Sequence, residues 1–243
     1  KGIRHPIIEV INDNEQYISN DLELDSMLLF GLNSSGKSSL LRSTGINIVL
    51  AQMGFYVSCD SFTFCPFTKL ISKIGNSDDL FKGQSTFITE MIELKNILNN
   101  SDKNTLVLCD ELTSGTETNS SVGIVCQTIL SLMEKECCFL FTTHLHEILQ
   151  FEEISKSNEL QIKHFKVKLE GGKIGFDRKL KDGSGDNNYG IEIANYLDMD
   201  KEFIKGCYKF RNRYEGIGDN ILNTKKSRYN SKVFMDSCSM CGK

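Results

Sequence analysis

Short apolar runs alternate with longer amphipathic stretches along most of this chain. The short runs have the continuous apolar character of strands buried on both faces, and the longer stretches repeat apolar residues at helical spacing. This pattern predicts strands at residues 27–30, 105–109 and 139–142 and helices at residues 38–53, 90–98 and 120–133. Because strands and helices alternate, we expect an α/β fold with a largely parallel sheet that is covered by helices.

The pattern changes in the second half of the chain. Two strand-like stretches, residues 163–169 and 173–180, flank a Gly-containing turn and predict a hairpin. After a polar, Gly-rich break, the apolar positions of residues 191–208 predict two short helices joined by a turn. From residue 215 onward the chain is polar and locally basic, which is typical of a linker.

These changes suggest how the chain is organised. We expect a main domain at residues 1–182, a helix-turn-helix appendage at residues 183–213, and, at residues 214–243, a linker with the start of a further domain. The chain begins at Lys1 rather than Met and ends where a motif starts, so we expect it to be part of a longer protein. That motif, Cys238-x-x-Cys241, is compatible with half of a zinc site, such as that of an appended nuclease, or with two free surface thiols.

Composition excludes several classes of protein. The chain has 40% hydrophobic and 25% charged residues, which is ordinary for a soluble globular protein. It lacks the roughly 18 consecutive apolar residues of a spanning helix and a secretory signal, so we expect no membrane association. Its nine cysteines lie mostly in apolar runs, which predicts reduced thiols in an intracellular, reducing compartment. The net charge of −4 argues against coating of nucleic acid by bulk electrostatics.

One loop between a predicted strand and a predicted helix carries a strong chemical signal. It matches the pattern G-x-x-x-x-G-K-[ST]. The matching residues are Gly31, Leu32, Asn33, Ser34, Ser35, Gly36, Lys37 and Ser38, followed by Ser39. In such loops backbone N–H groups bind phosphate oxygens at a helix N-terminus, the Lys holds the β- and γ-phosphates and the Ser ligates Mg²⁺. We therefore expect binding of ATP or ADP with Mg²⁺; a Gly/Ser-rich turn that matches by chance is the alternative.

Two adjacent carboxylates, Asp110 and Glu111, follow the strand at residues 105–109. Next to a phosphate loop, this arrangement places one acid near Mg²⁺ and the other toward the attacking water. We therefore expect Asp110 to associate with the metal and Glu111 to be the catalytic base or to orient water. On its own, the pair would usually be a solvated loop or a helix start. His144 follows another strand end, where either a γ-phosphate sensor or a structural His fits.

Together these segments resemble the MutS family of DNA mismatch-repair proteins, whose ATPase belongs to the ABC-type branch of P-loop proteins. The resemblance is nearly collinear over roughly residues 3–213. Besides the phosphate loop, it rests on residues 4–6, 17–20, 50–54, 74–80, 83–91, 110–116 and 189–191. It implies an ABC-type P-loop ATPase fold with a small C-terminal helix-turn-helix.

The resemblance also implies roles for individual residues. An aromatic residue of the family's upstream strand stacks on adenine, which implies that Tyr17, with Ile18, contacts the nucleotide. The family's Ser-Thr-Phe stretch contacts the nucleotide of the opposite subunit, which implies that Ser85 acts in trans. His144 corresponds to the family's switch His, and residues 189–191 open the equivalent of its dimerising helices.

Two segments depart from the family pattern. The family usually has Pro and Met-Gly in its phosphate loop, where this chain has Leu32 and Ser34-Ser35. It usually has Gly-Arg where this chain has Thr113-Ser114. These differences bear on turnover and on signalling between subunits more than on nucleotide binding. The family reads mismatches through a separate N-terminal domain, so direct mismatch contact is not expected within this chain.

The implied function is ATP binding and hydrolysis that drive a dimeric clamp sensing mismatched or damaged DNA. The implied partners are a second copy or a MutS-like partner, and double-stranded DNA through the full-length protein. Two alternatives stay open: the ABC-type ATPase head of another DNA-maintenance protein, and a nucleotide-dependent assembly module with little turnover. Such ATPase heads usually carry Leu-Ser-Gly-Gly where this chain has residues 83–87, and the assembly module conflicts with the intact Lys37, Ser38, Asp110 and Glu111.

Overall fold

The computed structural model describes residues 1–11, 17–32, 35–75, 86–113, 117–170, 173–185, 190–214, 225–226 and 234–235. The chain divides into two compact units, Lys1–Asn187 and Asn188–Lys243. Among the described helices, none is long and apolar enough to cross a membrane.

Most elements belong to the first unit. Its helices are α1 (Pro6–Ile11), α2 (Lys37–Gln52), α3 (Thr86–Asn100), α4 (Thr118–Glu134) and α5 (Glu152–Ser155), with a 3-10 helix at His146–Gln150. Its strands are β1 (Ser26–Phe30), β2 (Lys69–Lys73), β3 (Thr105–Asp110), β4 (Cys138–Thr143), β5 (Leu160–Glu170) and β6 (Lys173–Asp182). The second unit contains α6 (Gly190–Tyr196), α7 (Lys201–Tyr214) and the two-residue strands β7 (Lys225–Lys226) and β8 (Phe234–Met235).

Six strands form one sheet in the order β2-β3-β4-β1-β5-β6. All neighbouring pairs are parallel except the hairpin of β5 and β6. The predicted α/β fold with a largely parallel sheet is therefore confirmed. In the parallel register Phe30 pairs with Thr143 and Asp110 pairs with Thr142. The loops that follow β1, β3 and β4 consequently open at one edge, which is where open α/β sheets bind ligands.

Helices cover both faces of this sheet, as predicted. Met27 and Leu29 of β1 belong to a core cluster that includes residues of α2, whereas Leu28 and Phe30 belong to a cluster with residues of α3 and α4. Successive side chains of one strand therefore enter two different cores, which explains the continuous apolar run at residues 27–30. Full burial of one such Leu side chain contributes about 1.5–3 kcal/mol.

Strand β2 is an element that the hydrophobic pattern does not predict. It lies at the edge of the sheet and pairs with β3. Lys69, Leu70 and Ser72 are exposed, whereas Lys73 at its end is buried. An edge strand has a neighbour on one side only, so its sequence lacks the continuous apolar run of a central strand. The pairing of β7 with β8 is also unpredicted, because it lies within residues 214–243, where the pattern indicates a linker.

The second unit contains the two short helices expected from the sequence. Glu192 of α6 accepts hydrogen bonds from Tyr208 (3.3 Å) and Arg211 (3.2 Å) of α7. Among its apolar residues, Ile204 is buried, whereas Leu197 and Phe203 are exposed. The two helices are thus joined by polar contacts and present large apolar side chains at the surface.

Candidate functional site

The phosphate loop, residues 31–38, connects β1 to α2 at the carboxyl edge of the sheet. Gly36 precedes the helix with φ 111°, a value that favours Gly because it has no Cβ. Among the described residues, no side chain caps the N-terminus of α2. The first N–H groups of a helix lack partners within it, and its dipole favours an anion there. Asn33 and Ser34 lie outside the described residues.

The loop fits a phosphate group. Ser35 Oγ is fully buried and has no hydrogen-bond partner among the described residues. A buried polar atom in this state is costly unless a ligand or a water bonds to it. A Cβ placed on Gly31 would lie only 2.9 Å from Ser35 Oγ. Gly at position 31 therefore leaves the space next to this hydroxyl free. The loop thus combines an unsatisfied hydroxyl with a helix N-terminus, which is the chemistry a phosphate requires.

Lys37 reaches back over the loop from the first turn of α2. Its side chain is 4% exposed, and buried ammonium groups require oxygen partners. Lys37 Nζ donates to the carbonyls of Gly31 (2.6 Å) and Leu32 (3.2 Å) and lies 3.3 Å from Glu111 Oε1. The contact with Glu111 brings together the phosphate loop and the acidic pair, Asp110 and Glu111.

Thr142 of β4 positions the acidic pair. Its Oγ1 donates to Asp110 Oδ1 at 2.5 Å and accepts from the backbone N–H of Glu111 at 3.2 Å. Glu111 has φ 48°, an uncommon value for a residue with a Cβ. The turn after β3 therefore directs the two carboxylates to different partners, Asp110 to Thr142 and Glu111 to Lys37.

The charge of Glu111 is stabilised by its neighbours. His144 Nδ1 lies 3.9 Å from Glu111 Oε1, and the imidazole side chain is 62% exposed. His144 and, to a smaller extent, Lys37 lower the pKa of Glu111 to about 2, against the opposing effect of burial. Glu111 in turn raises the pKa of His144. The structure thus places Lys37, Glu111 and His144 together, as the sequence-based assignment requires.

A second buried Lys lies beside the acidic pair and is not among the sequence-based candidates. Lys73, at the end of β2, donates to the carbonyls of Glu111 (2.8 Å) and Asp110 (3.5 Å) and lies 3.6 Å from Glu90 Oε1 of α3. A Lys in a short stretch without an apolar pattern gives no signal, and β2 itself is not predicted. Thr142 also escapes the sequence analysis, although a polar residue within a buried strand indicates that its hydroxyl has a partner.

The proposed metal ligands lie at the same edge of the sheet. Ser38 is in the first turn of α2 and Asp110 ends β3. Across the described ranges, no group of three or more His, Cys, Asp and Glu residues could hold a metal. Mg²⁺ usually takes one or two protein oxygens, with phosphate and water completing its shell, so Ser38 and Asp110 fit that ion. Cys238 and Cys241 lie outside the described residues, and a zinc site there stays a prediction.

The residues assigned to adenine and to the partner's nucleotide stand further from the loop in sequence. Tyr17 is half-buried, and burial raises the pKa of its hydroxyl, partly offset by hydrogen bonding to the His5 backbone and to Ser43 of α2. Ile18 is exposed and Ser39 is half-buried. Ser85 lies outside the described residues, immediately before α3. The contacts of Tyr17, Ile18 and Ser85 with nucleotide stay predictions.

Comparison with known proteins identifies the family of this chain. The family described as MutS domain V matches residues 27–215. The chain is 38% identical to the mitochondrial DNA mismatch repair protein mutS homolog of Sarcophyton glaucum, over 99% of this chain and 25% of that protein. It is 34% identical to a putative DNA mismatch repair protein mutS homolog of Acanthamoeba polyphaga mimivirus, over 99% of this chain and 25% of that protein. It is 35% identical to the DNA mismatch repair protein MutS of Staphylococcus epidermidis, over 87% of this chain and 25% of that protein.

The matched region contains the whole phosphate loop, the acidic pair and His144. The chain spans about a quarter of the length of these curated relatives. Since the family match covers most of the chain and includes the site, the chain belongs to the MutS family of DNA mismatch-repair proteins.

Proposed function

We propose that this chain binds ATP with Mg²⁺ and hydrolyses it, and that a longer MutS-type protein uses this reaction to drive a dimeric clamp that senses mismatched or damaged DNA. The position of Lys37 carries the proposal. Its ammonium is buried over the phosphate loop, 2.6 Å from the Gly31 carbonyl and 3.3 Å from Glu111 Oε1. A cation held between a phosphate loop and a carboxylate is suited to neutralise a triphosphate.

The roles of the individual residues follow from their contacts. The N-terminus of α2 and Ser35 Oγ bind phosphate oxygens, and Lys37 pairs with the β- and γ-phosphates. Ser38 and Asp110 hold Mg²⁺, and Thr142 keeps the Asp110 carboxylate in place through a 2.5 Å hydrogen bond. When bound, Mg²⁺ neutralises charge that develops on the transferred phosphoryl group.

Glu111 changes partner when nucleotide binds. A carboxylate with a pKa of about 2 is a weak base, because Lys37 and His144 stabilise its charge. A phosphate that attracts the Lys37 ammonium removes one of these partners. The Glu111 carboxylate then becomes free to orient a water and to accept its proton, while His144 stays beside it as a sensor of the γ-phosphate.

Two chains build one complete site in this proposal. Residues 1–182 form the ATPase domain, whose Lys37 and acidic pair serve one nucleotide, and Ser85 of the partner chain completes that site. Residues 183–213 form the dimerising helices. The exposed apolar side chains of Leu197 and Phe203 support this role, since apolar surface of this kind commonly marks an interaction site.

Mixing two inactive variants tests the proposal. Ser85→Arg chains keep an intact phosphate loop and Lys37→Ala chains keep an intact Ser85, so a mixed pair should contain one working site. We expect neither variant alone to hydrolyse ATP, the mixture to regain at most half of the wild-type activity, and wild-type specific activity to rise with protein concentration. Deletion of residues 186–243 should weaken self-association.

Flat activity across the dilution range, together with no gain on mixing, would show that hydrolysis is monomeric and would remove Ser85 from the site. Absence of turnover in the wild-type chain despite ATP binding would favour the second candidate function, a nucleotide-dependent assembly module.

A further inference from the structure

Lys73 is buried between helix α3 and the turn that carries Glu111. The side chains of Lys73 and Glu90 are each 5% exposed, and their charged atoms are 3.6 Å apart. A buried ion pair contributes little net stability, because desolvation of both charges offsets their attraction. Besides this ion pair, the Lys73 ammonium makes hydrogen bonds to two main-chain carbonyls, those of Glu111 (2.8 Å) and Asp110 (3.5 Å).

Hydrogen bonds hold the backbone of Glu111 on both sides of its Cα. On one side of its Cα, the N–H of Glu111 donates to Thr142 Oγ1 at 3.2 Å. On the other side, the carbonyl accepts from Lys73 Nζ. With both flanking peptide groups held, the backbone of Glu111 is kept at φ 48°. The direction of the Cα–Cβ bond, and with it the carboxylate that faces Lys37, depends on this backbone conformation.

Lys73 also contacts helix α3 through Glu90. That helix begins at Thr86, directly after Ser85, and Glu90 lies about one helical turn further along. The Lys73 ammonium contacts Glu90 and the Glu111 carbonyl at the same time. The ammonium is therefore held between α3 and the turn that carries Glu111.

We propose that Lys73 is a positioning residue for Glu111: its ammonium, held beside the Glu90 carboxylate of α3, fixes the peptide group that follows Glu111. The inference rests on the proposed ATP hydrolysis.

The test compares three variants by turnover and by ATP affinity. Lys73→Met removes the ammonium and breaks the buried ion pair with Glu90, which endangers folding. Lys73→Met/Glu90→Gln removes both charges and so avoids that penalty. Lys69→Met is the matched control, because Lys69 lies on the same strand in an exposed ion pair with Asp102.

We expect turnover of both Lys73 variants to fall at least about tenfold, the factor for one lost hydrogen bond that involves a charged group. Their ATP affinity should stay within about threefold of the wild type, because the oxygen partners of Lys73 named above belong to Asp110, Glu111 and Glu90 and not to the phosphate loop. The Lys69→Met control should keep wild-type turnover and affinity. Wild-type turnover in the double variant would show that Lys73 only balances the charge of Glu90, and would overturn the proposal.

A structural readout separates failure of this inference from failure of the proposed function. If the wild-type chain binds ATP but does not hydrolyse it, the proposed function fails while the position of Glu111 can still be measured. Crystal structures of the wild type and the double variant should then differ by more than about 1 Å in the separation of Glu111 Oε1 from Lys37 Nζ, a displacement large enough to matter for catalysis. An unchanged separation and an unchanged Glu111 φ would overturn the role of Lys73.

Discussion

Two buried lysines approach Glu111 from different sides, and their partners differ. Lys37 contacts the carboxylate of Glu111 at 3.3 Å, whereas Lys73 donates to its main-chain carbonyl at 2.8 Å. Both ammonium groups also contact other carbonyls and are almost fully buried. The carboxylate paired with Lys37 is 26% exposed, whereas Glu90, paired with Lys73, is 5% exposed.

This difference in exposure distinguishes an exchangeable pair from a permanent one. When Lys37 leaves Glu111, water can solvate the carboxylate. A phosphate can therefore replace this carboxylate as the partner of Lys37 at a modest cost in free energy. When Lys73 leaves Glu90, a buried ion pair is broken, which costs about 3–5 kcal/mol. Lys37 is therefore suited to respond to a ligand, and Lys73 is suited to hold the structure around it.

The largest expected effect tests the carboxylate that Lys37 contacts. Glu111→Gln should lower ATP turnover about 100- to 10,000-fold, or about 3–5 kcal/mol in the barrier, because the water loses its base. ATP binding should persist, since Asp110, the proposed metal ligand, is unchanged and Lys73 keeps its carbonyl partner. A single-turnover assay should find the bound nucleotide trapped as ATP. Wild-type turnover in this variant would remove Glu111 from the mechanism.

The next effect separates the two lysines directly. Lys37→Ala should weaken MgATP binding by about 2–5 kcal/mol, because the triphosphate loses its charged partner in the loop. Lys73→Met serves as the comparison and should bind ATP with nearly wild-type affinity while having a lower free energy of unfolding. Titration calorimetry measures both affinities. Equal affinity of Lys37→Ala and the wild type would place the phosphate site elsewhere.

A smaller effect concerns acid stability. The pKa of Glu111 is about 2 in the folded protein, below its ordinary value of 4.5, so its ionised form stabilises the fold. This contribution, about 2–3 kcal/mol after allowance for partial exposure, is complete above pH 4.5 and is lost as the pH falls toward about 2. Urea unfolding at several pH values measures the difference in free energy of unfolding between the wild type and Glu111→Gln. This difference should become smaller as the pH falls through this range. A difference that does not depend on pH would contradict the pairing.

The smallest effect concerns His144. Glu111 raises its pKa above the ordinary value of 6.5, so protonated His144 stabilises the fold below that pH and the contribution is lost as the pH rises through the raised value. Because the side chain is exposed, we expect less than about 1 kcal/mol. Nuclear magnetic resonance should show the His144 titration midpoint falling in Glu111→Gln. The same midpoint in both proteins would mean that Glu111 does not act on His144.

Local features of the sequence predict the centre of the site well. Gly31, Gly36 and Lys37 are close neighbours in the chain, and their backbone requirements depend on a single turn between a strand and a helix. The central strands are equally predictable, because burial on both faces demands a continuous apolar run. The edge strand β2 is largely exposed and does not require a continuous apolar run. Residues 69–73 therefore show no pattern that distinguishes them from a loop.

The sequence by itself determined the phosphate loop, the acidic pair, the α/β class and the family resemblance, because each depends on neighbouring residues. Only the tertiary structure decided that Thr142 and Lys73 hold the two peptide groups that flank the Glu111 Cα, and that Glu90 joins Lys73 to α3. These contacts connect β2, α3, β3 and β4, and the partners lie far apart in the chain: Lys73 and Glu111 by 38 positions, Glu111 and Thr142 by 31. The physical reason is that a buried charge or hydroxyl must pair with a polar group that packing places nearby. The spacing of residues in the sequence does not reveal which group that is.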